Sequence, residues 1–198
     1  MTGLSKASRK RHADHPIDPI FLERWSPRAM TGEEISEAEL NILFEAARWA
    51  PSSYNNQPWR ILYARRNTKH WQTFFDLMGE FNQSWTHKAA ALLVIISKKT
   101  FEHNGKPSIT HSYDTGAAWI SLALQGAKKG YVVHGMQGFD YDRARQSLKI
   151  PDDYQVEAMA AIGKPGDPAE LPPNLLERES PSDRKKLDQI VREGEFSF

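Results

Sequence analysis

The residues best suited to chemistry gather in Ala46-Ala47-Arg48-Trp49-Ala50-Pro51-Ser52-Ser53-Tyr54-Asn55-Asn56-Gln57-Pro58-Trp59. An apolar helical pattern stops at a proline, gives way to hydroxyls and side-chain amides, and closes on a second proline and a tryptophan. Short hydrogen-bonding side chains between rigid ends suit a loop that grips a polar ligand. A second group, Glu23-Arg24-Trp25-Ser26-Pro27-Arg28, sets two arginines four residues apart beside a serine. Guanidinium groups fork onto phosphate oxygens and a hydroxyl adds a hydrogen bond, so the set fits an anion; an exposed helix end is the plainer reading. A third, Tyr131-Val132-Val133-His134-Gly135-Met136-Gln137-Gly138-Phe139-Asp140, is a short strand running into two glycines, which let backbone amides approach a flat ligand. It is not a G-x-G-x-x-G fingerprint, and a strand-to-helix turn with Asp140 as N-cap explains most of it. The run Asp183-Arg184-Lys185-Lys186 offers a further cation for the same anion, although such runs are usually solvated faces.

Other common engines are missing. The chain has no cysteine, which excludes disulfides, thiolate nucleophiles and Cys-based metal sites. Its seven histidines show no metal-ligand spacing, so no metal is expected. There is no Gly-x-Ser-x-Gly elbow, and Gly105-Lys106-Pro107-Ser108 is not a phosphate loop. Glu33 with Glu34 and Asp152 with Asp153 fall in expected turns, where carboxylates are simply solvated. A net charge of +1 gives no pull toward nucleic acid, and the basic residues 6–12 read as a solvated arm. The apolar run at residues 89–96 is far short of the ~20 residues of a membrane helix. These features suggest a soluble, cytoplasmic protein without membrane or nucleic-acid partners.

The elements that must hold these groups follow from pattern. With 198 residues, 39% of them apolar, one core can form; residues 1–15 are expected to be a flexible leader and 16–198 a single domain. Ile17, Ile20 and Phe21 could dock a short helix. Ser36-Glu37-Ala38-Glu39 is a capping box opening a helix with apolar Leu40, Leu43, Phe44 and Ala47, stopped near Ala50 by Pro51. Residues 60–64 predict a strand, residues 70–78 an aromatic core helix, and residues 91–97 a central strand buried on both faces. Residues 100–110 predict a mobile loop able to act as a lid. Residues 111–129 predict a long helix rich in small side chains, suited to close packing or to meeting its own copy, with Gly130 as its left-handed cap. A helix at 140–148, a strand at 156–162 and a proline-rich tail with an amphipathic turn or two complete the chain. Composition and spacing alone reach a mixed α/β domain with an anion-binding polar loop.

The motifs also resemble those of the nitroreductase-like flavoprotein family over residues 21–196. The likeness rests on Arg24-Trp25-Ser26-Pro27-Arg28, on residues 47–59, on Tyr113-Asp114-Thr115-Gly116-Ala117-Ala118, on residues 135–140, on Ala161-Ile162-Gly163-Lys164-Pro165 and on Arg184-Lys185-Lys186-Leu187, in the family's order. The resemblance implies an α+β fold with a central mixed or antiparallel sheet wrapped by helices, and an intertwined homodimer with FMN at its interface. It implies NADH or NADPH as reductant and a nitroaromatic, quinone or related conjugated electrophile as acceptor, in a ping-pong hydride transfer through flavin N5 without a catalytic side chain. By position, Arg24, Trp25, Ser26 and Arg28 match the N-terminal FMN motif, with Arg24 and Arg184 near the phosphate and Arg28 nearer the pyrimidine end. Pro51, Ser52, Ser53 and Asn55 match a loop reaching the partner's cofactor, with Gln57 supporting it, and the Gln137 and Gly138 amides match positions at N5 and O4. Trp25 and Lys186 depart from the commoner pattern. Lys88, Lys185 and Lys186 are left open as cofactor contacts, and a specialised flavin enzyme or a non-catalytic flavin carrier or sensor remain the alternatives.

Overall fold

The computed structural model describes residues 11–198. Four strands, β1 (Trp59–Arg65), β2 (Ala91–Lys98), β3 (Val132–Met136) and β4 (Tyr154–Gly163), form one sheet in the order β1-β2-β4-β3. Every pairing is antiparallel, so the α+β expectation holds and the mixed sheet left open by the resemblance is not found. The central strand β2 is buried on both faces because strand side chains alternate. Its Leu92, Val94 and Ile96 join one apolar cluster, while Ala91, Leu93 and Ile95 join the other.

Helices α2 (Glu37–Arg48) and α5 (His111–Lys128) cover the second cluster through Leu40, Leu43 and Ala47 and through Ala118, Leu122 and Ala123. The capping box forms as expected: the Ser36 hydroxyl accepts from the Glu39 amide at 3.2 Å, and the Glu39 carboxylate accepts from the Ser36 amide. Gly126 lets α5 close on β3, since a Cβ there would lie 2.6 Å from Val133 Cγ2. Gly130, at φ +73°, ends the helix in the left-handed conformation expected.

The opposite face packs under α3 (Trp71–Phe75), α4 (Glu80–Thr86), α6 (Tyr141–Ser147) and α7 (Pro173–Leu176), through Phe74, Trp85, Ala144 and Leu175. The helix predicted for residues 70–78 is shorter than its periodicity suggested: Leu77 and Met78 enter the core from a turn that follows Phe75. α1 is a four-residue helix, Ile20–Glu23, that lies against α5 with Ile20 half-buried, while Ile17 and Phe21 stay exposed. Residues 100–110 fold on themselves, with a Thr100–Pro107 bridge and a bond from the Phe101 amide to the Lys106 carbonyl at 2.8 Å. The expected amphipathic tail reduces to the single turn Leu187–Gln189. No helix among the described residues is long and apolar enough to cross a membrane.

Residues 27–31 run beside the end of β4 and set the site. The Thr31 amide donates to the Lys164 carbonyl at 3.0 Å, and the Gly166 amide to the Ala29 carbonyl at 2.9 Å. A Cβ at Gly166 would sit 2.5 Å from the Met30 carbonyl carbon, so only glycine allows this approach.

Candidate functional site

Arg24 caps the C-terminal end of α1 and donates from Nη1 to the Ser26 hydroxyl at 3.2 Å. Its guanidinium is held below its ordinary pKa first by burial, then by the charges of Arg11 and Arg184. The fold therefore brings together Arg24 and Arg184, which the sequence separates widely. Arg11 is the third member, and among the described residues of the basic run 6–12 it alone departs from the solvated-arm reading, His12 being exposed: only 7% exposed, it donates from Nε to the Ser182 carbonyl at 2.9 Å and from Nη1 to the Leu22 and Arg24 carbonyls at 3.2 and 2.9 Å. Residues 1–10 of that expected leader lie outside the described residues.

Arg28 behaves differently from Arg24. Its guanidinium lies 3.6 Å from Glu179, whose other carboxylate oxygen accepts the Arg28 and Ala29 amides at 2.6 and 2.9 Å. The two arginines four residues apart are thus not one fork: Arg24 remains without a carboxylate partner among the described residues, while Arg28 is compensated. His134 donates from Nδ1 to the Pro27 carbonyl at 2.9 Å and lies 4.6 Å from the Trp85 ring. Burial foremost, then the charges of Arg28 and Arg24, press its pKa down to about 4, against the pull of the Pro27 and Ser26 backbone. It is a neutral imidazole at pH 7. The buried Trp25 indole N–H has no acceptor among the described residues.

The glycine turn follows β3. Gln137 and Gly138 are exposed, and their backbone N–H groups have no protein acceptor among the described residues. Asn82, which sequence reading passed over, donates from its side chain to the Gly138 carbonyl at 2.8 Å and accepts from the Trp85 indole at 3.2 Å. A Cβ at Gly138 would come within 2.9 Å of that amide. Gln137 lines a cavity of about 390 Å³ with Thr115, Trp119 and Glu157; Gly138 lines another of about 590 Å³ with Asn82 and Arg143. Open amides beside open space can receive the edge of a planar ligand.

The polar loop is fastened to other elements. The Ser53 amide donates to buried Asp114 in the first turn of α5 at 3.1 Å, Ser52 accepts the Gln57 amide at 3.0 Å, and Asn56 spans to the Thr100 carbonyl and the Glu102 amide. Gln57 Nε2 donates to the Asn55 carbonyl at 3.1 Å, a contact that stays within the loop. Tyr54, Asn55 and Gln57 have φ of 51°, 53° and 49°. Three non-glycine residues in the left-handed region cost on the order of 1 kcal/mol each, strain that folds keep where shape is used. Pro51, Tyr54 and Asn55 are exposed. Among the described residues, no hydrogen bond or ion pair links this loop to Arg24, Ser26, Arg184 or the glycine turn.

The three lysines left open as cofactor contacts sit in different surroundings. Lys88 is paired with Glu170 at 2.8 Å, and Lys186 with Asp14 at 3.5 Å; Lys185 is exposed. No group of His, Asp and Glu among the described residues could hold a metal. Nothing in the sequence pointed to Asn82 or Glu179, whose partners are distant in the chain; Arg11 was visible only as one of several basic residues.

Comparison with known proteins agrees with this architecture. A solved structure of an oxidoreductase containing FMN is 47% identical, with a TM-score of 0.91 over 94% of this chain and 96% of its own. A nitroreductase family protein from Clostridium difficile, 18% identical, shares the fold with a TM-score of 0.69 over 92% of this chain and 100% of its own. A Streptomyces coelicolor protein provisionally named NADH dehydrogenase/NAD(P)H nitroreductase is 24% identical over 194 residues, 88% of this chain and 93% of that protein. The NADH dehydrogenase of Thermus thermophilus is 26% identical over 203 residues, 86% and 92% of the two chains. The family model for nitroreductases matches residues 22–164, from the arginine segment through the glycine turn to the end of β4, and the chain belongs to the nitroreductase family.

Proposed function

We propose that this protein is an FMN-dependent oxidoreductase that uses NADH or NADPH to reduce nitroaromatic, quinone or related conjugated electrophiles. The observation that carries the reading is the gathering of Arg24, Arg184 and Arg11 from three parts of the chain, with mutual repulsion opposed near them by Asp183. Such a cluster is relieved by a doubly charged anion, and a phosphate monoester matches it in charge and geometry. The 47%-identical oxidoreductase that contains FMN supports FMN as the molecule bearing that phosphate.

In this reading Arg24 and Arg184 hold the phosphate, with the Ser26 hydroxyl and the unpartnered Trp25 indole as neutral donors. Arg28, braced by Glu179, lies toward the pyrimidine end, and the free Gln137 and Gly138 amides meet the N5 and O4 edge, where donors favour the negative charge of the reduced ring. Bound there, FMN supplies two-electron redox chemistry at N5, open in turn to reductant and acceptor. Pro51, Ser52, Ser53 and Asn55 complete the site from a second copy of the chain, held in shape by Gln57. Two observations support the homodimer: among the described residues the loop makes no polar contact with its own chain's arginine group, and apolar Trp49, Tyr54, Ile109 and Tyr113 are 75, 84, 96 and 81% exposed around the loop and the start of α5.

The full-length protein should purify yellow and release FMN on denaturation; a colourless protein that takes up no FMN would overturn the reading. Mixing with NADH and then NADPH should bleach the flavin, whereas an oxidised spectrum persisting under both would make the protein a carrier. Arg24→Ala should weaken FMN binding by about 10- to 100-fold, from the loss of a charge-assisted contact worth roughly 1.5–3 kcal/mol, and leave riboflavin binding unchanged. Equal FMN affinity in the variant would put the phosphate elsewhere.

A further inference from the structure

We propose that Arg11 is the positioning residue of an anion-operated clasp: its guanidinium ties residues 11–14, the end of α1 and the tail at residues 182–186 around one site, so that a bound phosphate monoester closes the tail onto the body. The inference rests on the phosphate reading of Arg24 and Arg184.

Arg11 bonds three carbonyls in two segments. Those of Leu22 and Arg24 belong to the strand of chain that presents the Arg24 guanidinium, and that of Ser182 lies two residues before Arg184. A planar fork with five donors can span such a set, whereas an ammonium on a flexible stem cannot hold it in one geometry. The tail has little else to hold it. Residues 182–198 are exposed throughout, Leu187, Ile190 and Val191 included, so no buried apolar side chain anchors them. Among the described residues, their polar side-chain contacts to the body are the Arg11 bond to Ser182 and the 3.5 Å pair of Lys186 with Asp14, and both land on residues 11–14. An exposed pair of that kind contributes about 0–1 kcal/mol.

Charge then decides when the clasp closes. Arg11 and Arg24 are both disfavoured as cations, by burial first and by Arg184 as well, and Asp183 offsets this for Arg11. Closing the tail without an anion adds Arg184 to one buried and one half-buried guanidinium, those of Arg11 and Arg24; closing it around a phosphate turns the same approach into attraction. Anion binding and tail docking are therefore coupled, each favouring the other by the same factor.

Hydrogen exchange of the full-length protein, titrated with FMN, riboflavin or inorganic phosphate, tests the clasp. FMN should slow exchange across residues 182–186 by about tenfold or more, millimolar phosphate should do the same, and riboflavin should not. In Arg11→Ala, and in Arg11→Lys, which keeps the charge without the fork and is the gentler change should alanine disturb folding, that protection should vanish. FMN affinity should fall about tenfold in Arg11→Ala and in Arg184→Ala, and the double variant should be no weaker than either, because both changes open one clasp. The proposal fails if FMN protects the tail equally in the Arg11 variants, if riboflavin protects as well as FMN, or if the two affinity losses multiply. A wild-type protein that binds no FMN would refute the FMN reading instead; protection by inorganic phosphate would then sustain the clasp, and its absence would overturn it.

Discussion

His134 has a protonation state that burial fixes and sequence does not announce. Its pKa is 6.5 as a free side chain and about 4 in the fold. Between those values the unfolded chain binds a proton that the folded chain refuses, so the stability held by the neutral ring is complete above pH 6.5 and drains away as pH falls toward 4. Urea unfolding at pH 7 and pH 5 should differ by about 2 kcal/mol from this group, at roughly 1.4 kcal/mol per pH unit. His134→Gln should remove that part of the slope; an unchanged slope would mean that the ring is solvated. The same limit applies to Arg11, Arg24 and Arg28: three arginines of one type in the sequence become a buried staple, an unpaired cation and a member of a carboxylate pair, because each guanidinium is defined by what surrounds it.

Elements were more legible where their causes are local. The capping box at Ser36 and Glu39, the left-handed Gly130 and the two-faced β2 all appear where the pattern put them, since each depends on residues within a few positions. α3 ended early because an apolar stripe states which residues go inward, not whether a helix or a turn delivers them. The small residues of α5 have two different meanings. At Gly126→Ala the added methyl meets Val133 at 2.6 Å, and overpacking of about 1–3 kcal/mol should outweigh the helix-propensity gain of up to about 1 kcal/mol. At Gly116→Ala nothing stands within 4 Å, so the propensity gain of about 0.5–1 kcal/mol should appear undiminished in a single chain. Thermal melts should move in opposite directions, and equal shifts would refute the close approach of α5 to β3.

For the whole molecule, the homodimer proposed above would cover the exposed apolar side chains around the polar loop and the start of α5. Light scattering should give a mass about twice the 22.6 kDa chain. Ile109→Glu, which places a charge on a side chain 96% exposed in the single chain, should drive the protein toward monomer and lower FMN retention with it. A monomer that keeps full FMN affinity would show that the polar loop does not complete a neighbour's site.

The sequence by itself determined the capped start of α2, the approximate places of the four strands and of α5 and α6, the stiff polar loop and the arginine, glycine-turn and basic-tail motifs in their order, because nearest-neighbour sterics, capping and side-chain periodicity act over a few residues. Only the tertiary structure decided what surrounds each cation. Glu179 takes Arg28, Glu170 takes Lys88, and Arg11 leaves the solvent to join Arg24 and Arg184. Charge compensation and burial depend on groups that only folding makes neighbours, so the anion site could be suspected along the chain but assembled only in space.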